Sequence, residues 1–259
     1  MSTIEHTATQ SEVLDTKSFK LRKSADRGHA NHGWLDSYHS FSFASYYDPA
    51  HMGFSALRVI NEDVIGAAQG FGTHGHNDME IITYMLQGAL QHEDSMGNGS
   101  VIKAGDVQRM TAGTGVRHSE FNASNEHSAH LLQIWILPNR NGLTPGYEEK
   151  HFDAASKKNQ WRLIASSCAR EGSLLVHQDL DLFATLLDQG QHIVYQPHIG
   201  RSLYFQLARG SIILNGVALA QGDAMAIDID VETTIEITSQ TDAEILLFDL
   251  PSSKNYISN

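Results

Sequence analysis

The sequence predicts an all-β protein built from two similar β domains, each a sandwich or a barrel. Three observations favour this fold class: many short strand-like segments, hardly any long helical periodicity, and an internal repeat. The chain of 259 residues has room for two domains of ordinary size. Short strands separated by frequent turns are typical of sandwiches and barrels.

The strand candidates are rich in β-branched and aromatic residues and end at Gly, Pro, Asn or Asp. In chain order they cover residues 83–86, 131–137, 162–165, 211–214, 233–238 and 245–248. Residues 180–184 fit either a strand or one turn of helix. Pro, Asn and Gly cluster in residues 138–145, which we interpret as the linker between the two domains.

The internal repeat relates residues 83–107 to residues 204–224. In each copy a strand runs into a glycine, Gly88 or Gly210, and a second strand leads to a Gly-Asp turn. Repetition of one such unit predicts two domains of the same architecture.

The most informative polar residues are His74 and His76, with Glu80 at even spacing after them, and His118 and Glu120 further on. Side chains two apart on a strand point to the same face, so each pair projects together. Imidazoles and carboxylates are the ligands of divalent transition metals. The spacing therefore predicts one metal site if the two strands meet, and it leaves open which carboxylate completes the site.

The second copy of the repeat has lost most of these residues. Aligning the two glycines places Gln196 opposite His74 and His198 opposite His76, and nothing like His118 and Glu120 follows. We therefore expect a single metal site, in the first domain. The predicted boundaries are an extension over residues 1–17, an N-terminal domain with the metal site over 18–140, and a C-terminal domain without metal over 141–259.

Composition excludes several other classes. The formal charge of −12 does not favour a nucleic-acid-binding surface. No apolar run approaches the roughly 20 residues of a membrane helix. Cys168 is the single cysteine, so no disulfide can form within the chain. With no signal-peptide pattern at the start, we expect a cytoplasmic protein with no membrane contact.

The motifs resemble those of the cupin superfamily. The first motif, His-x-His-x3-Glu followed by Gly, is matched by His74, His76, Glu80 and Gly88, and the second by Gly105, Gly115, His118 and Asn122. Thr111 stands where the second motif usually has proline, and two extra residues lie between Thr111 and Gly115. That departure, with residues 27–29, 31–35, 41–43 and 94–98, resembles the pirin family, above all bacterial pirin-like quercetin 2,3-dioxygenases, over residues 20–251.

The resemblance implies two jelly-roll barrels in one chain, a bicupin, with His74, His76, His118 and Glu120 as metal ligands. Glu80 would then orient an imidazole from a position next to the ligands. Three imidazoles and one carboxylate suit Fe(II), which we expect, although Mn, Co, Ni, Cu and Zn are chemically compatible. Phe54, Met79 and Phe121 lie near the motifs and are candidates for the lining of a substrate pocket.

The implied function is a dioxygenase that opens the central ring of a flavonol such as quercetin with O2 and releases carbon monoxide. Glu120 would also act as the catalytic base for the flavonol 3-hydroxyl. One alternative is a metal-dependent, redox-responsive regulatory protein that binds protein partners. Another is a cupin oxygenase or isomerase with a different substrate. We expect a monomer that binds a small aromatic substrate and no nucleic acid.

Overall fold

The computed structural model describes residues 19–256, which form 22 strands and one short helix, α1 (Ala154–Lys157). The strands of the first half are β1 (Phe19–Arg22), β2 (Gly28–Asn31), β3 (Leu35–His39), β4 (Leu57–Ile65), β5 (Gly70–His76), β6 (Glu80–Gln87), β7 (Ala89–Asp94), β8 (Gly99–Lys103), β9 (Asp106–Thr111), β10 (Val116–Asn122), β11 (Ala129–Ile136) and β12 (Gly146–His151). Those of the second half are β13 (Arg162–Ser166), β14 (Leu174–Leu175), β15 (Asp181–Leu187), β16 (His192–Tyr195), β17 (Ser202–Arg209), β18 (Ser211–Leu214), β19 (Val217–Ala220), β20 (Ala224–Asp228), β21 (Ile235–Ser239) and β22 (Ala243–Leu250). The predicted extension, residues 1–17, lies outside the described residues.

Each half of the molecule is a barrel made of a seven-stranded and a four-stranded sheet. In the first barrel the sheet orders are β12-β9-β6-β11-β4-β3-β2 and β5-β10-β7-β8. In the second they are β1-β20-β17-β22-β15-β13-β14 and β16-β21-β18-β19. The matching orders confirm the predicted fold class of two all-β barrels, and the ambiguous residues 180–184 lie largely in strand β15.

Both copies of the repeat have a glycine at the same hairpin turn for a steric reason. Gly88 has φ +77° and Gly210 has φ +82°, a region that side-chain-bearing residues rarely adopt. A Cβ at Gly210 would lie 2.1 Å from the carbonyl oxygen of Asp242, which allows no side chain. The same hairpin therefore needs glycine in both copies.

The outer faces of the two seven-stranded sheets pack against each other. Ile82 and Leu132 of the first barrel share one buried cluster with Tyr204, Leu246 and Phe248 of the second. All residues of β6 except its last are buried, because one face of the strand lines the first barrel and the other meets the second barrel. This packing explains why β6 is buried on both faces rather than alternating between buried and exposed residues.

The two barrels also exchange strands across the predicted domain boundaries. β1 pairs with β20 of the second barrel, although it lies at the start of the chain. β12 pairs with β9 of the first barrel, although it follows the predicted linker. The boundaries at residues 18 and 141 stay predictions. No helix between residues 19 and 256 has the length and apolar character that a membrane crossing requires.

One line of residues across the inner face of each seven-stranded sheet distinguishes the barrels. In the first barrel it is the polar row, whose members are neighbours in the strand register: His39, Asn61, Gln133, Thr83 and Gln108. In the second barrel the corresponding apolar row is Leu163, Phe183, Leu247, Phe205 and Met225. The interior of the first barrel is therefore polar at positions where the interior of the second barrel is apolar.

Candidate metal centre and cavity

Strands β5 and β10 are antiparallel neighbours and bring the predicted histidines together. His118 lies opposite His74 in the register, and their ring centroids are 4.4 Å apart. Nε2 of His76 lies 3.0 Å from Nε2 of His118. The three side chains His74, His76 and His118 each place a ring nitrogen within 4.8 Å of the others. The two motifs thus meet at one point.

The geometry of these nitrogens fits a single metal ion. Zinc–imidazole bonds of about 2.0–2.1 Å place two ligands at a right angle about 3 Å apart, which matches the His76–His118 separation. Nδ1 of His74 is 2.9 Å from the carbonyl oxygen of Gly72, so it is the N–H donor and Nε2 keeps its lone pair. Metal binding requires such a lone pair on a neutral ring.

Burial keeps the other two imidazoles neutral. It lowers the pKa of His76 to about 4 and that of His118 to about 3, and the neighbouring histidines act in the same direction. A neutral imidazole offers a ring-nitrogen lone pair, and a cation between Nε2 of His76 and Nε2 of His118 would accept both lone pairs.

Glu120 lies beside His118 and is held by a chain of hydrogen bonds. Its carboxylate is within 4.8 Å of ring nitrogens of His118 and His92. Nε2 of Gln133 donates to Oε2 of Glu120 at 3.1 Å, and the Thr83 hydroxyl donates to Oε1 of Gln133 at 3.0 Å. Burial raises the pKa of Glu120 to about 7. The polar row therefore orients this carboxylate toward the histidines.

Glu80 points away from the histidine cluster. Its buried carboxylate accepts a hydrogen bond from the Thr111 hydroxyl at 3.1 Å and lies 3.3 Å from Nδ1 of His177 in the second half of the chain. Burial raises the pKa of Glu80 as well. Of the two carboxylates that the sequence left open, Glu120 is the one that lies beside a cluster histidine.

His92 is a residue that the sequence reasoning missed. It is fully buried, and its ring stacks on Tyr147 and lies 5.3 Å from that of His118. Its Nε2 is 3.2 Å from Oδ2 of Asp94, and Gln108 donates to its Nδ1 at 3.0 Å. Because both ring nitrogens have partners, His92 supports the site rather than binding metal. The even spacing of His92 and Asp94 on β7 was the available signal.

A cavity of about 640 Å³ opens beside the cluster. His74, His76 and Glu120 are part of its lining, and Trp34, Phe43, Phe71 and Trp135 supply aromatic walls. Its remaining lining comes mainly from β2, β3 and β4 and includes Ala30, His32, Leu35, Ser37, His39, Asn61 and Asp63. The chain segment before the first motif thus forms part of the cavity wall.

The lining predicted from sequence proximity was wrong. Phe54 packs against the cluster between the barrels, and Phe121 is 41% exposed because it alternates with Glu120 on β10. Met79 lines a separate cavity of about 340 Å³ on the other side of Phe43 and Trp135. Consecutive residues on a strand point to opposite faces, so a residue next to a metal-binding motif need not line the same cavity.

Comparison with known proteins agrees with this architecture. The family model Pirin matches residues 19–136, and the model for the quercetinase C-terminal cupin domain matches residues 163–250. A quercetin 2,3-dioxygenase from Escherichia coli K12 is 54% identical over 89% of this chain and 98% of its own length. The chain belongs to the pirin family. A pirin-like protein from Caulobacter vibrioides is 41% identical over 88% of the chain and 98% of its own length.

Solved pirin structures have the same fold. The bacterial pirin YhhW from Escherichia coli in complex with nickel(II) superposes with a TM-score of 0.85 at 51% identity, covering 90% of this chain and 99% of that one. The predicted membership of the pirin family, the bicupin fold and the likeness to quercetin 2,3-dioxygenases are confirmed. A transition-metal site is consistent with the histidine–glutamate cluster.

Proposed function

We propose that this pirin-family protein is a dioxygenase that opens the central ring of a flavonol such as quercetin. His74, His76, His118 and Glu120 would hold the metal, with Fe(II) as the expected ion. The observation that carries the proposal is that His74, His76 and Glu120 line an aromatic-walled cavity. The Escherichia coli relative named quercetin 2,3-dioxygenase supports the choice of substrate.

The reaction consumes one O2 for each flavonol. Both oxygen atoms of O2 remain in the ester product, a depside, and the carbon that bore the 3-hydroxyl leaves with its oxygen as carbon monoxide. A bound transition-metal ion would supply Lewis-acid and redox chemistry at the cluster. The other contributions come from side chains of this chain.

Glu120 would take the proton of the flavonol 3-hydroxyl. Its carboxylate lies beside His118 in the cavity lining, and the Gln133 amide holds it in place. The walls formed by Phe71 and Trp135 would bind a planar polyphenol and keep water from the reacting ring. A cavity with aromatic walls beside a histidine cluster favours a small-molecule substrate over the purely regulatory role considered above.

A pair of isosteric variants tests the assignment. Metal-reconstituted protein should consume quercetin and O2 and release carbon monoxide. Glu120→Gln should lower kcat at least about 100-fold, the lower range for loss of a positioned base. The matched control Glu80→Gln should retain metal content and at least half of the activity, since Glu80 lies outside the cluster.

Absorbance of the flavonol, O2 uptake and carbon monoxide should be measured together, with an anaerobic control. Absence of turnover with every first-row metal would overturn the activity. A larger loss of metal and activity in Glu80→Gln than in Glu120→Gln would overturn the choice of carboxylate.

A further inference from the structure

A second polar group lines the cavity and lies outside the histidine cluster. It consists of His39, Asn61, Asp63 and Ser37 on β3 and β4. His39 is two strands away from Gln133, which holds Glu120. Strands are spaced about 4.8 Å apart, so His39 lies about 10 Å across the sheet from Gln133. The cavity thus has a polar lining at the metal centre and a second polar wall.

His39 presents a hydrogen-bond acceptor to the cavity. Its Nδ1 is 2.9 Å from Oδ1 of Asn61, so Nδ1 is the donor and Nε2 carries the lone pair. Burial lowers the pKa of His39, which keeps the ring neutral. Between residues 19 and 256 no protein group is hydrogen-bonded to Nε2. Phe43, 5.4 Å away between ring centroids, fixes the orientation of the ring.

Asp63 provides a second acceptor on the same wall. The Ser37 hydroxyl donates to its Oδ1, and the other carboxylate oxygen has no hydrogen-bond partner among the described residues. Asp63 is only 4% exposed, and the surface that it keeps lines the cavity. A carboxylate oxygen that faces the cavity can accept a hydrogen bond from a hydroxyl of a bound ligand.

We propose that His39 and Asp63 form a subsite that accepts hydrogen bonds from phenolic hydroxyls on the part of the substrate remote from the metal. The inference rests on the proposed function and narrows the substrate class to flavonols with further ring hydroxyls. Two acceptors on one wall select O–H donors and penalise bare aromatic rings, because a bare ring leaves both acceptors unpaired.

The test compares quercetin with 3-hydroxyflavone, whose only hydroxyl is the one that reacts. In His39→Leu, which installs the residue type found at Leu163 in the second barrel, the ratio of kcat/KM for quercetin over 3-hydroxyflavone should fall about 10-fold, the effect of one lost hydrogen bond. His39→Gln keeps an acceptor on a side chain of similar reach and should restore at least half of the lost preference on a logarithmic scale.

The surface variant His192→Leu is the matched control and should leave the ratio unchanged, because His192 is exposed on the second barrel. Asp63→Asn is a second, nearly isosteric probe that keeps an acceptor for Ser37. Asp63→Asn should lower the same ratio at least threefold, and this variant tests the subsite independently if His39→Leu fails to fold.

Anaerobic binding to nickel-loaded protein separates this inference from the proposed activity. Tighter binding of quercetin than of 3-hydroxyflavone, abolished in His39→Leu, would support the subsite even if no turnover occurs with any metal. An equal loss of kcat/KM for both flavonols would show that His39 is merely structural and would overturn the subsite. Equal binding of both flavonols by the unmodified protein would overturn it too, and failure to bind either would overturn the subsite and the flavonol activity together.

Discussion

The two barrels share one strand order and differ in the chemistry of a single row across the larger sheet. Thr83 of the polar row and Phe205 of the apolar row occupy equivalent places in the repeat, at the centre of β6 and β17. The polar side chains hydrogen-bond to each other and to groups at the metal centre. The apolar ones fill the second barrel with hydrocarbon. The backbone architecture therefore does not depend on the metal site.

The difference has an energetic side. A fully buried large apolar side chain contributes about 1.5–3 kcal/mol, whereas a buried polar side chain contributes little beyond the cost of its own desolvation. We infer that the second barrel contributes more per residue to the free energy of unfolding. The polar row and the cavity make the contribution of the first barrel smaller. Exchanging single residues between the two rows tests this difference between the barrels.

The largest expected effect comes from the equivalent histidines. His76→Ala should lower metal content at least tenfold and activity by about 1,000-fold, because one ligand is removed from the proposed four-ligand site. His198→Ala, at the aligned position of the second barrel, should change neither, since His198 is exposed. Elemental analysis and O2 uptake on the same preparations provide the measurement. Normal metal content in His76→Ala would contradict the site.

The next effect concerns stability. Phe205→Thr places the equivalent polar residue in the apolar row, where it leaves a void and buries a hydroxyl. We expect a loss of about 4 kcal/mol in the free energy of unfolding and a fall in Tm of about 10 °C. Val194→Thr, on the exposed part of β16 in the same barrel, should shift Tm by less than about 2 °C. Similar shifts for both variants in thermal unfolding would refute the comparison.

The smallest effect concerns the reverse exchange. Gln133→Leu installs the residue type of Leu247 and removes the donor that orients Glu120. Because such supporting contacts are worth about 10- to 100-fold, kcat/KM for quercetin should fall by that factor while the fold persists. Gln91→Leu, an exposed glutamine on β7, is the control. Steady-state kinetics would contradict the role of Gln133 if the two variants behaved alike.

Much of this architecture was predictable from the sequence because its periodicities are local. The even spacing of His74 and His76 and the glycines of the repeat depend on neighbours a few residues away. The role of Glu80 was not predictable from the sequence. Residues at even spacing share a face only within one strand, and a turn separates His76 on β5 from Glu80 on β6. On β6 the inner face carries Thr83 and Ile81, so Glu80 faces the other barrel.

The residues of the cavity wall could not be predicted from the sequence for a different reason. His39, Asn61 and Gln133 meet only through the strand register, although the first and last are far apart in the chain. A single sequence contains no signal for that register once turns of varied length intervene. His92 was missed likewise, since its contact with His118 depends on the pairing of β7 with β10.

The exchange of β1 and β12 between barrels has a consequence for any attempt to dissect the protein. A cut in the linker at residues 138–145 leaves each fragment carrying an edge strand that belongs to the other, with the sheet edges of β9 and β20 bared. Such edges invite association between chains. We therefore expect the fragments to aggregate alone and to recover the native assembly only when refolded together, so that the molecule behaves as one indivisible folding unit.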